Sequence, residues 1–469
     1  MDKKSNKITI GLECHVQLKT DSKLFCSCPN KFTQQPNTAV CDICLGMPGS
    51  KPMLNRKAVE YAVKIGIALN CRMNKEMSFS RKAYFYPDMS KNFQITQYEM
   101  PLCHDGFLEI DSQKIRITRI QIEEDPARLV HQGAIESSKY VLVDYNRSGA
   151  PLCEIVTEPD FSDAQHARKF LQELSLMLEY LGVYDPNIEG SMRVDTNISL
   201  SKGARVEIKN ISGFKEVEKA LCYEMLRQSS LVKRGISVKR ETRGWNAESG
   251  ITISLRSKEQ EEDYGYIYET DLPIASLAEK TVELRYTIPE FAKQKIQRYQ
   301  TELRIGKEMA ISIASEPDIA KAFEVAVKET DAHKAAIFFS KMLKKVLNYE
   351  NKRLSETGIK TEWLLKIINR IEKKEITERA AELLLRDMVI KPQDPDILLG
   401  IRGLTRIDKK EALEPIVMDM LTKNSLAVMD YKQGRLESLE FLVGQVMRKT
   451  GGRADPITTR NILKEKLDD

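Results

Sequence analysis

The sequence predicts an α+β chain: an antiparallel sheet covered on one side only, followed by a helical half. Two observations predict it. Through about residue 290, short segments alternate apolar and polar residues with a period of two, the mark of strands with one buried face. From Pro289 that alternation stops, and Lys, Glu, Ala, Leu and Ile recur at helical spacing to the end. A chain of 469 residues is too long for one core. The expected division is a sheet domain over 1–290, with a cysteine-bearing insertion near 26–44, a helical domain over 291–400 and a small helical tail over 401–469. Pro392, Pro395 and Gly400 mark the last boundary.

In the first strand Ile8, Ile10, Leu12, Cys14, Val16 and Leu18 alternate with Thr9, Gly11, Glu13, His15 and Gln17. Its polar face carries a carboxylate and an imidazole two residues apart, roughly 7 Å by strand rise, and both types bind metals or move protons. Later segments repeat the pattern. Ile120 and Ile122 alternate with Arg119, Gln121 and Glu123, ahead of Glu124 and Asp125. Val194, Thr196, Ile198 and Leu200 alternate with Arg193, Asp195, Asn197 and Ser199. Val206 and Ile208 alternate with Arg205, Glu207 and Lys209, and Ile251, Ile253 and Leu255 with Thr252, Ser254, Arg256 and Lys258. The apolar set of each is expected in the core. The polar faces mix Glu, Asp, His and Asn with Arg and Lys. That mixture suits a polyphosphate and its Mg²⁺, carboxylates and His taking the ion and the cations the phosphates. Mixed charge also keeps a plain outer face soluble.

Two helices are legible in this half. Asn55 to Leu69 places Ala58, Val59, Ala62, Ile65 and Leu69 on one stripe. Ser162 to Leu181 does the same with Ala167, Phe170, Leu171, Leu174, Leu178 and Leu181; Ser162 with Gln165 reads as a capping box, and Gly182 as the stop.

Of nine cysteines, Cys26-x-Cys28 and Cys41-x-x-Cys44 form two close pairs flanking an irregular segment with Pro29, Pro36 and Asn37. Thiolates so spaced can complete a closed tetrahedral zinc shell with no open position for catalysis. Four reduced thiols or an iron–sulfur cluster are the alternatives. Composition, at 42% hydrophobic and 30% charged, is that of a globular protein, and no apolar run reaches membrane-spanning length. The lysine-bearing start leads into a strand and not into a signal-peptide core, so the expectation is a cytoplasmic protein with no membrane partner. The net charge of +5 does not itself announce nucleic acid. The stretch from Lys334 to Lys374 is dense in Lys and Arg, and reads either as a phosphate-tracking surface or as a solvated helix face.

Longer runs carry a resemblance. Gly11 to Cys26 (GLECHVQLKTDSKLFC), Phe79 to Leu102 with its Arg-Lys-x-Tyr-x-Tyr-Pro-Asp core, Glu123 to Leu129 (EEDPARL), Val143 to Asp160 (VDYNRSGAPLCEIVTEPD), then SMRVDTNISL, VEIKNISGF, ETRGW and finally Phe441 to Pro456 stand in order along nearly the whole chain. Together they resemble the B subunit of the aspartyl/glutamyl-tRNA(Asn/Gln) amidotransferases. The resemblance implies a cradle domain similar in fold to glutamine synthetase, then a helical domain and a tail that grips tRNA. It implies an ATP-dependent carbon–nitrogen ligase with glutamine as amido donor. ATP and Mg²⁺ would serve to phosphorylate the side-chain carboxylate of Asp-tRNA(Asn) or Glu-tRNA(Gln), and ammonia from a separate amidase (glutaminase) subunit would displace the phosphate. A small third subunit completes a heterotrimer.

On this reading Glu13, His15 and Glu123 or Glu124 are the metal candidates, with Glu124 preferred as the third Mg²⁺ ligand. Arg193, Arg205, Lys209, Arg256 and Lys258 are candidates for phosphate contact. Asp195 and Asn197 would orient metal-bound water. Arg81, Lys82, Tyr84, Tyr86, Asp88 and Lys91 match the segment expected at the end of the ammonia path, although Tyr84, Phe85 and Tyr86 could equally pack a subunit contact. Cys26, Cys28, Cys41 and Cys44 fit the zinc-bearing branch of the family. Two departures stand out: Gln121 replaces a common His, and Gly265 replaces Arg in a run that reads Asp263-Tyr264-Gly265-Tyr266-Ile267 here. A related archaeal subunit carries a large inserted domain for which this chain has no room. Two other readings are a non-catalytic tRNA-binding scaffold and a stand-alone amide synthetase.

Overall fold

A computed structural model describes residues 7–31, 33–131, 140–188, 190–200, 203–257, 264–407 and 409–468, without the side chains of His131, Arg256 and Ser257. Lys258 and Asp263 thus lie outside the described residues. The chain divides into two compact units, Met1–Phe291 and Ala292–Asp469.

The first unit is built on a nine-stranded sheet. Across it run Ile251–Ser257, Glu241–Asn246, Val206–Ile211, Met192–Leu200, Ile8–Gln17, Pro151–Thr157, Gln113–Glu124, Cys103–Ile110 and Arg72–Met73. The strand with Glu13 and His15 is therefore central. Every pairing is antiparallel except that of Val206–Ile211 with Glu241–Asn246, which is parallel. A 20-residue helix, Phe214–Lys233, joins those two strands, and a crossover of that length permits the parallel return.

Helices cover one face. Ile10, Leu12, Cys14, Val16, Ile120, Ile122, Val194, Ile198, Val206 and Ile208 are buried in a core shared with Phe170, Leu171 and Leu174 of the helix Ala164–Leu181. Full burial of each Leu, Ile or Phe contributes about 1.5–3 kcal/mol. The helix Arg56–Ala68 is capped by Asn55, whose side chain accepts from Lys57 N and Ala58 N. Ala164–Leu181 is capped by Asp163, which accepts from His166 N, and not by Ser162; Gly182 ends it in the left-handed region. The cap moved one residue because Asp163, immediately before the helix, is itself a strong capping type.

The edge strand departs from the expected pattern. Ile251, Ile253 and Leu255 are exposed, while Thr252 is buried and donates to Glu224 of Phe214–Lys233. Arg243 and Trp245, on the neighbouring strand, face the same helix through Glu224 and Glu216. A buried carboxylate needs partners, and the Glu224 network turns the polar side of the edge strand inward.

The second unit is helical. In Thr361–Glu372 the residues Leu364, Leu365, Ile367 and Ile368 are buried; Glu378–Ile390 is capped by Thr377, and Leu413, Val417, Leu442, Val446 and Leu463 form a core of their own near the chain end. No described helix is long and apolar enough to cross a membrane.

Candidate active site

The face of the sheet away from the helices Ala164–Leu181 and Phe214–Lys233 gathers the polar residues of five adjacent strands. Cross-strand register decides which meet. His15 lies opposite Glu154 on one side and Arg193 on the other, and Glu13 lies opposite Asp195. One strand further out, Glu123 and Glu207 complete two groups on either side of the central strand. His15, Glu123 and Glu154 place one ligand atom each within 4.8 Å of one another, and so do Glu13, Asp195 and Glu207. His15 Nε2 is 3.7 Å from Glu123 and 3.9 Å from Glu154. Two carboxylates with an imidazole, and three carboxylates, are donor sets for hard divalent cations.

Neighbouring groups hold these ligands in place. Asn197 Nδ2 donates to Glu13 Oε1 (2.7 Å), Thr242 Oγ1 to Glu207 (3.0 Å) and Thr96 Oγ1 to Glu123 (3.1 Å). Gln121 Nε2 donates to Glu154 and its carbonyl accepts from Arg119 Nε, so the glutamine orients the Glu154 carboxylate, a candidate ligand. Burial, reinforced by the Glu13 charge, pushes the Glu154 carboxyl up to about 7. Burial and Glu154 also raise Glu123, against the pull of His15. Negative charge packed this densely in a low-dielectric site calls for cations. Lys209 is one, 3.2 Å from Asp195 and 3.5 Å from Glu207; burial disfavours its charge, but the two carboxylates outweigh burial and raise it. Arg193 is paired with the buried Asp125 at 2.7 Å, and Arg147 approaches the same carboxylate at 3.5 Å.

Several expected residues land elsewhere. Glu124 belongs to neither metal group: its carboxylate pairs with Lys91 and accepts from Ile95 N. It ends its strand, and the ladder turns Glu123, not Glu124, toward His15. Glu13 and His15 stand on the same face but in different groups, because cross-strand register places each with a different pair of neighbours. Asp195 stands among the candidate ligands and not behind them. Arg205 is exposed just ahead of its strand. The Arg256 side chain and Lys258 lie outside the described residues.

In the segment expected to meet ammonia, Arg81 is committed to Glu269 at 2.7 Å and stacks over Phe93. Lys82 sits over the Tyr264 ring, and Tyr84 meets that ring edge-on. Burial raises the Tyr84 hydroxyl and the Asp88 carboxyl, and Asp88 Oδ1 is buried without a hydrogen-bond partner. Tyr86 is exposed, as is Phe85.

Glu154 and Glu207 are the site residues that the sequence reading missed. Glu154 had a signal: it is the lone charge among Leu152, Cys153, Ile155 and Val156. Glu207 stood in a strand already recognised, but nothing local raised it above its neighbours.

The four cysteines Cys26, Cys28, Cys41 and Cys44 also bring their sulfurs within 4.8 Å of one another. Cys44 accepts from Cys41 N at 3.1 Å and lies 3.6 Å from Nζ of the buried Lys23. Hydrogen bonding from Cys26 leads the effects that lower the Cys44 thiol to about 4, in a cluster where Cys26 keeps its proton. A thiolate beside a buried ammonium, with three more sulfurs in reach, fits a structural dication.

Fold and side-chain positions together define a mixed sheet with two candidate cation groups side by side on one face. Comparison with known proteins makes the assignment specific. Residues 8–283 match the family described as the GatB/GatE catalytic domain, and residues 321–467 the GatB domain. The chain is 43% identical over 470 residues to the aspartyl/glutamyl-tRNA(Asn/Gln) amidotransferase B subunit of Methanospirillum hungatei, covering 98% of each chain. It is 41% identical over 483 residues to that of Haloquadratum walsbyi, covering 98% of this chain and 97% of the relative. With that of Saccharolobus solfataricus it shares 40% over 469 residues, covering 98% and 99%. The chain belongs to the family of aspartyl/glutamyl-tRNA(Asn/Gln) amidotransferase B subunits, ligase-type enzymes of translation.

Proposed function

We propose that the open face of the sheet binds ATP with Mg²⁺ and the amino acid of a misacylated tRNA, and that this chain activates the side-chain carboxylate for amidation. The observation that carries the reading is the splitting of Glu13 and His15, two residues apart on the central strand, into two three-ligand groups on opposite sides. Glu13, Asp195 and Glu207 would hold one Mg²⁺, and His15, Glu123 and Glu154 another. Bound there, Mg²⁺ would neutralise phosphate oxygens and help to orient the nucleotide.

The chain's own residues do the rest. A carboxylate is a poor acyl donor because its oxide is a poor leaving group. The side-chain carboxylate of Asp on tRNA(Asn), or Glu on tRNA(Gln), attacks the γ-phosphorus and ADP leaves. Ammonia then attacks the acyl carbon, phosphate departs and the amide remains. No general base is needed for the first step, since the carboxylate is already ionised at neutral pH. Lys209 and Arg193, fixed by Asp195, Glu207 and Asp125, supply positive charge beside the developing phosphate. Arg205, exposed and two residues before Glu207, would add a further positive charge for a bound nucleotide.

Ammonia would come from the amidase (glutaminase) partner, with the small third member of the heterotrimer bracing the pair. Lys82, Tyr84, Asp88 and Lys91 would offer it a route beside half-buried aromatic rings and a partnerless carboxylate oxygen. Arg81, locked to Glu269, is part of the wall. The cysteine knuckle holds structural Zn²⁺, and the tail contributes tRNA affinity. The deciding experiment is a transamidation assay with the reconstituted complex and both misacylated tRNAs. Glu13→Ala should abolish tRNA-dependent ATP hydrolysis. Undiminished hydrolysis in that variant would instead favour a site elsewhere, and none in the wild type a scaffold. One zinc per chain in freshly purified protein checks the knuckle.

A further inference from the structure

Cys41 precedes and Cys44 lies within a single helical turn, Asp42–Leu45, which ends on Gly46 in the left-handed region. Close approach explains that glycine: a Cβ there would stand 2.2 Å from Cγ and 3.2 Å from Cα of Lys91. The carbonyl of Cys44 accepts from Ser90 Oγ at 2.9 Å and from Ser148 Oγ at 3.2 Å. A Cβ on Gly149 would meet Cys44 Cβ at 3.5 Å. The backbone of one sulfur ligand is thus gripped by two loops at once.

Both loops lead back to the acidic end of the strand Gln113–Glu124. On the first, Lys91 pairs with Glu124, Ile95 N donates to the same carboxylate, and Thr96 Oγ1 donates to Glu123. On the second, Gly149 N donates to the Asp125 carbonyl and Asp125 N to that of Ala150. An unbroken series of contacts therefore joins Cys44 to Glu123, a member of the His15 group.

The knuckle has little core of its own, because residues 34–38 are exposed. Thiols joined only by weak S–H contacts would leave it poorly fixed, whereas a tetrahedral dication cross-links both ends. Lys23, 1% exposed, donates to Ala39 O at 2.8 Å and stands beside Cys44, supplying a charge that four thiolates around one dication require.

We propose that the metal-loaded knuckle is a positioning element for Glu123: it keeps the Ser90–Lys91 and Ser148–Gly149 loops in register, and through them fixes the carboxylate that faces His15 and Glu154. The proposal rests on the zinc and divalent-cation readings given above. Its consequence is that emptying the knuckle weakens cation binding in the His15 group and leaves the Glu13 group alone.

The test is a Mn²⁺ titration of the full-length chain, followed by electron paramagnetic resonance without substrates. Cys44→Ser, shown to be zinc-free, should weaken one of two Mn²⁺ sites by about tenfold, the scale of an altered ligand support. Lys91→Met should do the same, and combining the two should add little, because both act on one chain of contacts. Gly46→Ala keeps all four thiols but displaces Lys91 and strains the left-handed end of the Cys44 turn, so, with its zinc content measured, it should reproduce the loss even if the cysteine variant fails to fold. Unchanged Mn²⁺ affinity in Gly46→Ala, or fully additive losses in the double variant, would overturn the proposal. A wild-type chain that takes up zinc but no Mn²⁺ would overturn the cation-site reading beneath it.

Discussion

Glu154 makes divalent-cation binding a steep function of pH. Its carboxyl is pushed up to about 7 from 4.5 by burial and the Glu13 charge. A cation takes the ionised form, so at pH 6 binding must first displace a proton that is mostly absent at pH 8. One such proton implies an affinity roughly tenfold lower at pH 6 than at pH 8. The same shift acts on stability. The folded state binds more protons than the unfolded one between pH 4.5 and about 7, so the cation-free protein loses stability as pH rises through that window, by about 3 kcal/mol at most. Added Mg²⁺ should restore it above pH 7. Calorimetric Mg²⁺ titrations at pH 6, 7 and 8, repeated on Glu154→Gln, measure this. Affinity that stays flat from pH 6 to 8 in the wild type, or a pH dependence as steep in Glu154→Gln as in the wild type, would refute the reasoning.

Other consequences are simpler to test. Glu207→Gln should preserve the fold but cut tRNA-dependent ATP turnover by at least about a hundredfold, the upper scale for loss of a metal-supporting group; thermal melting separates this from unfolding. Ile253→Ser should change unfolding free energy by no more than about 0.5 kcal/mol, whereas Ile120→Ala should cost about 2–5 kcal/mol in denaturant titration, because the first side chain is exposed and the second fully buried. Removing residues 401–469 should raise the Michaelis constant for the misacylated tRNA and leave that for ATP unchanged; steady-state kinetics on the reconstituted complex decide it.

The sequence by itself determined five strands of the large sheet, the helices Arg56–Ala68 and Ala164–Leu181 and, the edge strand apart, their buried faces, because period-two and period-3.6 burial are local properties of a chain with one wet side; the strands Pro151–Thr157, Cys103–Ile110 and Glu241–Asn246 and the helix Phe214–Lys233 were not read from it. It also placed Glu13 and His15 on a polar strand face and paired the four cysteines, since these relations span only a few residues. Only the tertiary structure decided that Glu13 and His15 serve different groups, that Glu123 and not Glu124 turns to His15, and that Glu154 and Glu207 complete the sets. It also decided that Ile251, Ile253 and Leu255 face outward around the Glu224 network. Each of these depends on cross-strand register between segments tens to well over a hundred residues apart, where a shift of one residue swaps the faces and no local pattern records which alignment is chosen.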